Sequence, residues 1–252
     1  MKKLLRSIQV FFPFLHDLRF ASKFFMMKTL NKPHEADFNA LRHFNPKPDE
    51  VFLDIGSNRG EAILSMLISS KVKNNIIGFE PNDLIFKKLN NNYKNNKRIK
   101  LYNIGLADKN DTLDLHVPFY RNWMFDGLSS FDFNSANDWL KTRLFGFNEK
   151  HLSIKTVQCE IQMLDNFELN PYFIKIDVQG YELQVLKGAI QTIKSHTPIL
   201  LIESIDNETI EFLKNYNYEF YTYANNKFVK GTGTLNTFCI TQNKMDDLIN
   251  EK

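Results

Sequence analysis

Val51-Phe-Leu-Asp-Ile-Gly-Ser-Asn-Arg-Gly60 decides the fold. Apolar residues lead into Asp54, and a Gly-x-x-x-Gly turn then opens a helical pattern. A second apolar run, Ile76-Ile77-Gly78-Phe79, stops at Glu80 and Pro81. Strand, glycine turn, helix and second strand make a nucleoside pocket in a parallel α/β sheet. The glycine lets a ligand approach the backbone, and an acid at the tip of the next strand accepts hydrogen bonds from ribose hydroxyls. The interval from Gly56 to Glu80 is close to the ~20 residues such a unit requires.

Outward from this stretch, apolar runs and helical patterns alternate. A strand is predicted over 50–55 and a helix from Asn58, a good cap residue, with Ile63, Leu64, Leu67 and Ile68 on its buried face. Strands follow over 75–80 and 99–104, with a helix carrying Leu84, Ile85 and Leu89 between them. Beyond residue 170 come a strand over 172–178, a helix carrying Leu183, Leu186, Ile190 and Ile193, a strand over 199–203 and a helix over 208–215. Closing strands read over 218–223 and 237–241, with a hairpin around Gly231 and Gly233. This is an α/β pattern, a doubly wound parallel sheet with helices on both faces.

Residues 111–160 interrupt it. Residues 112–117 and 153–159 alternate polar with apolar, as half-buried strands do. Between them lies an aromatic segment with Phe119, Tyr120, Trp123, Phe125, Phe131, Phe133, Trp139, Phe145 and Phe147. A connection this long is usually functional or disordered, and its aromatic content argues against disorder. It reads as a lid or substrate wall, with a plain packing excursion as the alternative.

Composition narrows the class. Of 252 residues, 43% are apolar, enough for a sizeable core, and 32 basic against 29 acidic residues leave a charge of +3. That is too small to argue for nucleic acid by itself. Cys159 and Cys239 have no metal spacing, which fits a reducing cytoplasm, although two cysteines could pair. The N-terminus mixes Lys2, Lys3 and Arg6 with Leu4, Leu5, Ile8, Phe11 and Phe12 before Pro13. Helical spacing makes residues 1–48 a helical extension, either packed on the domain or resting on a membrane surface through residues 1–30. A signal peptide is disfavoured, because Pro13 breaks the run and no clear cleavage site follows. Residues 49–252 form the main domain.

Acids fall at the predicted strand ends: Asp54, Glu80, Asp177 and Glu203. In such sheets the ligand crevice lies at the carboxyl ends of the strands. Four carboxylates there repel unless a ligand, cation or hydrogen-bond network satisfies them. Lys175 shares a face with Asp177 in a strand that should be buried on both sides, so it needs a carboxylate partner. It serves either as a structural ion pair beneath the pocket or as a group acting in the site. Asn58 replaces the middle glycine of a dinucleotide fingerprint, and no phosphate loop occurs. A nucleoside without phosphates that carries an amine and a carboxylate suits the site better. That description points to S-adenosylmethionine.

Leu53-Asp-Ile-Gly-Ser-Asn-Arg-Gly60, Phe79-Glu-Pro81, Asn103-Ile-Gly-Leu-Ala-Asp108, Gly127-Leu-Ser-Ser130, Ile174-Lys-Ile-Asp-Val-Gln-Gly-Tyr-Glu-Leu183, Val185-Leu-Lys-Gly188 and Leu200-Leu-Ile-Glu203 occur in an order that resembles the FkbM-type methyltransferases. Asn236-Thr-Phe238 is a weaker echo. The resemblance implies a Rossmann-like seven-stranded sheet in order 3-2-1-4-5-7-6 with strand 7 antiparallel. It also implies O-methylation of hydroxyls on macrolides, sugars or surface glycans. The cofactor-binding residues it implies are Asp54, Gly56, Ser57, Asn58, Gly60, Glu80, Pro81 and Asp108, with Glu80 on the ribose and Asp108 near adenine. Asp177, flanked by Glu182 and Glu203, is implied at the methyl and the acceptor, and the buried Lys175 joins them as a catalytic candidate on its own reading. Ser57 and Gln179 stand where many relatives have Ala and Glu.

The expected activity is S-adenosylmethionine-dependent transfer to a sugar hydroxyl of a glycan, glycolipid or secondary metabolite. Asp177 is the first choice of base, and Ser129, Ser130 and Trp123 are candidate acceptor contacts. His116 and His151 sit on the inserted segment, where structural or surface roles are the simpler reading. A divalent ion bridging Asp177 and Glu203 is a lesser alternative. The competing functions are an RNA or DNA methyltransferase, a non-catalytic cofactor-binding scaffold at a membrane and, last, an NAD-dependent enzyme.

Overall fold

The computed structural model describes residues 2–250. In chain order the strands are β1 (Val51–Ile55), β2 (Ile76–Phe79), β3 (Ile99–Tyr102), β4 (Gly105–Leu106), β5 (Asp111–Tyr120), β6 (Trp123–Met124), β7 (Leu152–Gln162), β8 (Pro171–Ile176), β9 (Ile199–Glu203), β10 (Tyr218–Ala224), β11 (Lys227–Lys230) and β12 (Asn236–Thr241). The α-helices are α1 (Lys2–Gln9), α2 (Leu15–Leu30), α3 (Glu61–Ser69), α4 (Asp83–Tyr93), α5 (Phe133–Asp138), α6 (Glu182–Lys187), α7 (Ile190–His196), α8 (Asn207–Lys214) and α9 (Gln242–Asn250). None of the described helices is long and apolar enough to cross a membrane.

The main sheet runs β11-β10-β12-β9-β8-β1-β2-β3. β12 is antiparallel to both neighbours, and β9, β8, β1, β2 and β3 run parallel. The sheet has eight strands, not the expected seven. The addition is β11, which folds back on β10 through Asn225 and Asn226, both at positive φ. Asparagine tolerates the left-handed conformation that a two-residue hairpin demands. The hairpin turn is therefore there, and Gly231 and Gly233 lie beyond it on the way to β12.

Alternation divides the core between the two faces of the sheet. Phe52, Ile76, Phe173, Ile199, Leu201, Phe238 and Ile240 pack on one face against Phe38 and Leu41, Ile63 and Met66 of α3, and Met245 and Leu248 of α9. Leu53, Ile55, Ile77, Phe79, Ile174, Ile176, Leu200 and Ile202 pack on the other against Val185, Leu186, Ile193 and Leu213. Each fully buried side chain of this size contributes roughly 1.5–3 kcal/mol through burial. The short helical patch ahead of β1 is a 3-10 helix, Ala36–His43.

Several elements differ from the sequence reading: the single helix expected to carry Leu183, Leu186, Ile190 and Ile193 is two, α6 and α7, parted at Gly188 and Ala189. β3 ends at Tyr102, because residues 105–106 turn away to join a second sheet, β4-β7-β5-β6. In that sheet β5 and β7 pair antiparallel from Asp111↔Ile161 to Tyr120↔Leu152. A further correction concerns α3, which begins at Glu61 rather than Asn58. Asn58 has φ 44° and Gly60 φ 92°, so both lie in the left-handed region and neither residue is helical.

Candidate active site

The parallel register assembles the site. Asp54 of β1 is aligned with Lys175 of β8, and Lys175 with Leu201 of β9. With a side-chain period of two, Asp54, Lys175, Asp177 and Glu203 project from the same face as Phe52, Phe173 and Leu201. Glu80, two residues past Gly78, lies on that face as well. The acids crowd one edge because the carboxyl ends of β1, β2, β8 and β9 meet there.

Gly56 makes the turn after β1 possible. Its φ is +83°, and a Cβ there would stand 1.9 Å from the Asp177 carbonyl oxygen. Both the conformation and the close approach require glycine. The Gly56 and Ser57 N–H groups donate to the Phe79 carbonyl at 3.0 and 2.9 Å, tying the turn to β2. Ser57 is buried, and its hydroxyl donates to the Asp54 carbonyl at 2.8 Å. Gly60, also left-handed, packs under Tyr93, whose hydroxyl donates to the Gly60 carbonyl at 2.6 Å.

Glu80 is clamped. Its Oε2 accepts the Asn58 N–H at 2.7 Å and its Oε1 the Asn82 N–H at 2.8 Å. Burial nevertheless pushes its carboxyl up to about 7. Glu80 lines a cavity of about 240 Å³ with Gly56, Asn58, Pro81, Phe131, Asp177 and Glu203 among its walls. A second cavity, about 170 Å³, adjoins it through Gly56, Asn58 and Asp177 and reaches Asp54, Lys175, His34 and Lys23. Asp54 is buried, and burial raises its carboxyl to about 7 despite Lys175. Asp54 Oδ2 and Asn58 Oδ1 are buried without a hydrogen-bond partner among the described residues.

Lys175 sits at the floor. Its Nζ lies 3.6 Å from Asp177 Oδ2. Burial opposes its charge, but Asp177, Glu203, Glu35 and Asp54 together outweigh that penalty and hold its pKa above the ordinary value. Asp177 is only half-buried. Burial favours its neutral form, yet Lys175 and the hydrogen bonds it receives keep its carboxyl below the usual range. One of those bonds comes from Gln179 Nε2 at 2.8 Å. Glu203, raised first by burial and then by the Asp177 carboxylate, stands at about 8. The two carboxyls titrate as a pair, in which Lys175 favours the charge on Asp177 and burial favours the proton on Glu203.

A third and larger cavity, about 830 Å³, opens beside the first and shares Asn58, Asp126, Gly127, Gln179 and Glu203 with it. Its walls come from α1, α2 and the turn between them (Arg6, Phe12, His16, Arg19) and from the aromatic segment (Trp123, Phe125, Trp139). The aromatic segment is thus a wall, built on the second sheet.

The structure brings Asp54, Gly56, Ser57, Asn58, Glu80, Pro81, Lys175, Asp177 and Glu203 together, with Ser129 on the rim of the 240 Å³ cavity and Trp123 in the large one. Four of the expected residues lie elsewhere, the first being Gly60, which lines none of these cavities and sits against Tyr93. Glu182 lines none of these cavities; its Oε1 accepts the Val178 and Gly180 N–H groups, each at 3.2 Å, and closes the turn after β8. Asp108 is exposed and outside them. Ser130 is buried, and its Oγ accepts the Asp132 N–H at 3.1 Å. Cys159 and Cys239 are free and buried, not paired. Among the described residues no group of three or more His, Cys, Asp or Glu could hold a metal ion.

Sequence reasoning missed Arg59 and Asp126. Arg59 is buried and donates from Nε to Asp126 Oδ2 at 2.7 Å, from Nη1 to Asp17 Oδ1 at 2.9 Å and from Nη2 to His16 Nδ1 at 2.8 Å. Its guanidinium also lies 4.1 Å from the Phe20 ring centre. This knot ties the glycine turn to α2 and to the aromatic segment. An arginine inside a glycine turn was the available signal.

The profile of the methyltransferase FkbM domain matches residues 54–220, spanning β1 to β10. The chain belongs to the FkbM methyltransferase family. It is a methyltransferase by that membership. Among solved structures it is similar to the methyltransferase FkbM of Methylobacillus flagellatus KT, at 17% identity and a TM-score of 0.50 over 81% of this chain and 48% of that one. The chain thus spans about half the length of that relative. Looser likenesses are the precorrin-6y C5,15-methyltransferase of Geobacter metallireducens GS-15 (12% identity, TM-score 0.40, 79% of this chain and 82% of that) and Aeropyrum pernix fibrillarin with natively bound S-adenosyl-L-methionine (11%, 0.40, 81% and 76%). At these identities the likeness concerns the fold alone. No curated protein gives a significant match to the chain.

The residues present fit S-adenosylmethionine. The buried, unpartnered Asp54 Oδ2 and Asn58 Oδ1 offer acceptors toward an ammonium. Glu80 offers its remaining lone pairs toward ribose hydroxyls, and Gly56 puts bare backbone in the wall of the same cavity.

Proposed function

We propose that this methyltransferase uses S-adenosylmethionine to methylate a sugar hydroxyl of a glycan, glycolipid or secondary metabolite. The observation that carries the reading is the Asp177–Glu203 carboxyl pair, backed by Lys175: both acids line the nucleoside-sized cavity, and Glu203 also lines the 830 Å³ cavity beside it. The cofactor, when bound, supplies a methyl already activated by its sulfonium. What the chain must add is alignment of the acceptor oxygen and removal of its proton. A hydroxyl reaching the pair from the large cavity meets Asp177 as its base. Lys175 keeps that carboxylate ionised, and Glu203 takes part in sharing the proton.

The test uses labelled S-adenosylmethionine and a glycan-rich extract, with label counted in the carbohydrate fraction. Asp177→Asn is expected to lower turnover by about 10²–10³-fold, with cofactor affinity by calorimetry unchanged. Parent-like turnover in a folded, cofactor-binding variant would remove Asp177 from the mechanism. Label appearing in protein or RNA instead of carbohydrate would overturn the acceptor class.

A further inference from the structure

The outer face of α1 and α2 is a large feature that methyl transfer leaves unused. Leu4, Ile8 and Phe11 recur along α1 and its last turn, and Phe14, Leu18 and Phe25 along α2, all exposed. These intervals keep each set on one side of its helix. Phe14 is 75% exposed and Phe25 68%, values foreign to a face packed on the domain. The Phe12 and Phe14 rings meet edge-on at 6.1 Å and join the two stripes across the turn. Exposed Phe145 of the aromatic segment extends the patch, anchored where its N–H donates to Ser7 Oγ at 2.8 Å. The opposite sides are occupied: Val10 is buried against Tyr120, Trp123 and Leu140, and α2 is held by Arg59. Monomeric soluble proteins rarely leave apolar patches this long uncovered.

Charge says what covers it. Lys3, Arg6, Arg19, Arg121 and Arg143 border the patch. Among the described residues none of them lies in an ion pair, whereas other surface cations such as Lys87 and Lys88 do. All five lie over aromatic rings instead: Lys3 over Phe145 at 4.9 Å, Arg6 and Arg143 over Trp139 at 5.0 and 3.6 Å, Arg121 over Phe11 at 4.4 Å and Arg19 over Phe20 at 5.9 Å. The pKa of Arg6 is lowered by burial and then by Arg143 and Arg19, a cluster of like charges awaiting an anion. Residues 2–30 hold a single acid, Asp17, and it is engaged by Arg59 and Lys88. A second copy of this chain would bring the same cations against these, which disfavours self-association.

We propose that α1 and α2 dock the protein on a bilayer containing anionic lipid. Leu4, Phe11, Phe14, Leu18 and Phe25 enter the acyl boundary, and the five cations meet headgroup phosphates. Arg6, Ile8, Phe12, Leu15 and Arg19 also line the 830 Å³ cavity, so docking sets its mouth at the lipid interface. This surface stands whether or not the acceptor is a sugar, and its test measures binding alone.

The full chain is floated with vesicles of phosphatidylcholine, or of phosphatidylcholine carrying one-third phosphatidylglycerol. About tenfold more protein is expected on the anionic vesicles. Raising salt to 1 M should release most of it, since screening shortens to about 3 Å. The triple variant Phe14→Glu, Leu18→Glu, Phe25→Glu should lose binding to anionic vesicles while keeping the parent melting temperature, and Leu18→Glu alone should weaken it. Equal recovery with both lipids, or full binding by the triple variant, overturns the proposal. So does a parent that ignores vesicles but elutes as a dimer that the triple variant abolishes; the face would then belong to a second copy.

Discussion

At the scale of single residues, the site turns on a few buried carboxylates and their neighbours. Glu80 accepts two backbone N–H groups that no other group replaces. Removing a carboxylate so held would take away the ribose contact proposed for it and leave two donors unpaired, which costs about 1–3 kcal/mol for each group left unsatisfied. Glu80→Ala is expected to weaken S-adenosylmethionine binding at least tenfold by titration calorimetry. Unchanged affinity would displace Glu80 from the cofactor pocket. The acids could be read in the chain because each follows an apolar run directly. The proton-sharing between Asp177 and Glu203 could not, since it depends on the distance between two strands far apart in sequence. Nor could the separate fates of Glu182 and Asp108. A carboxylate that caps a turn and one that faces a ligand look alike in a string of letters.

At the scale of elements, the Arg59 knot is the joint between three parts of the chain. It connects α2, the turn before α3 and the 3-10 segment at Asp126–Leu128. Arg59 and Asp126 are both nearly inaccessible, at 4% and 9% side-chain exposure. Removing one partner of a buried pair leaves the other desolvated and uncompensated, at a cost of about 3–5 kcal/mol. Arg59→Ala should therefore lower the melting temperature and release α2. Hydrogen exchange would show faster amides in residues 15–30 while those of β1 and β8 stay protected. Uniform exchange across the chain would mean that the knot stabilises the domain without holding the helix. Helical spacing made α1 and α2 predictable. Their packing over the 830 Å³ cavity was open, because an amphipathic segment finds reward against a protein core or a lipid surface alike.

At the scale of the whole molecule, burial of acids makes stability depend on pH. Asp54 and Glu80 have folded-state pKa values raised to about 7, and Glu203 to about 8. Each binds its proton more tightly in the folded chain than in the unfolded one. The stability from this source is complete below the unfolded carboxylate range and is lost as pH rises through about 7 to 8. The ligand-free protein should melt at a lower temperature at pH 8.5 than at pH 5.5. The summed contribution is on the order of a few kcal/mol. Asp54→Asn should flatten that slope without steepening it elsewhere. A melting temperature that climbs steadily over this interval would show that the carboxyls are already ionised in the folded state.

The order of strands and helices, the glycine turn and the family were legible in the sequence, because all three are local. Hydrophobic period reports which face is buried, and a left-handed turn next to an acid demands particular residues. The edge strand β11, the second sheet under the aromatic segment, the knot at Arg59 and the meeting of two cavities at Glu203 were decided only by tertiary structure. These are distances between parts of the chain separated by tens of residues, and burial in a common core fixes them where no local preference can.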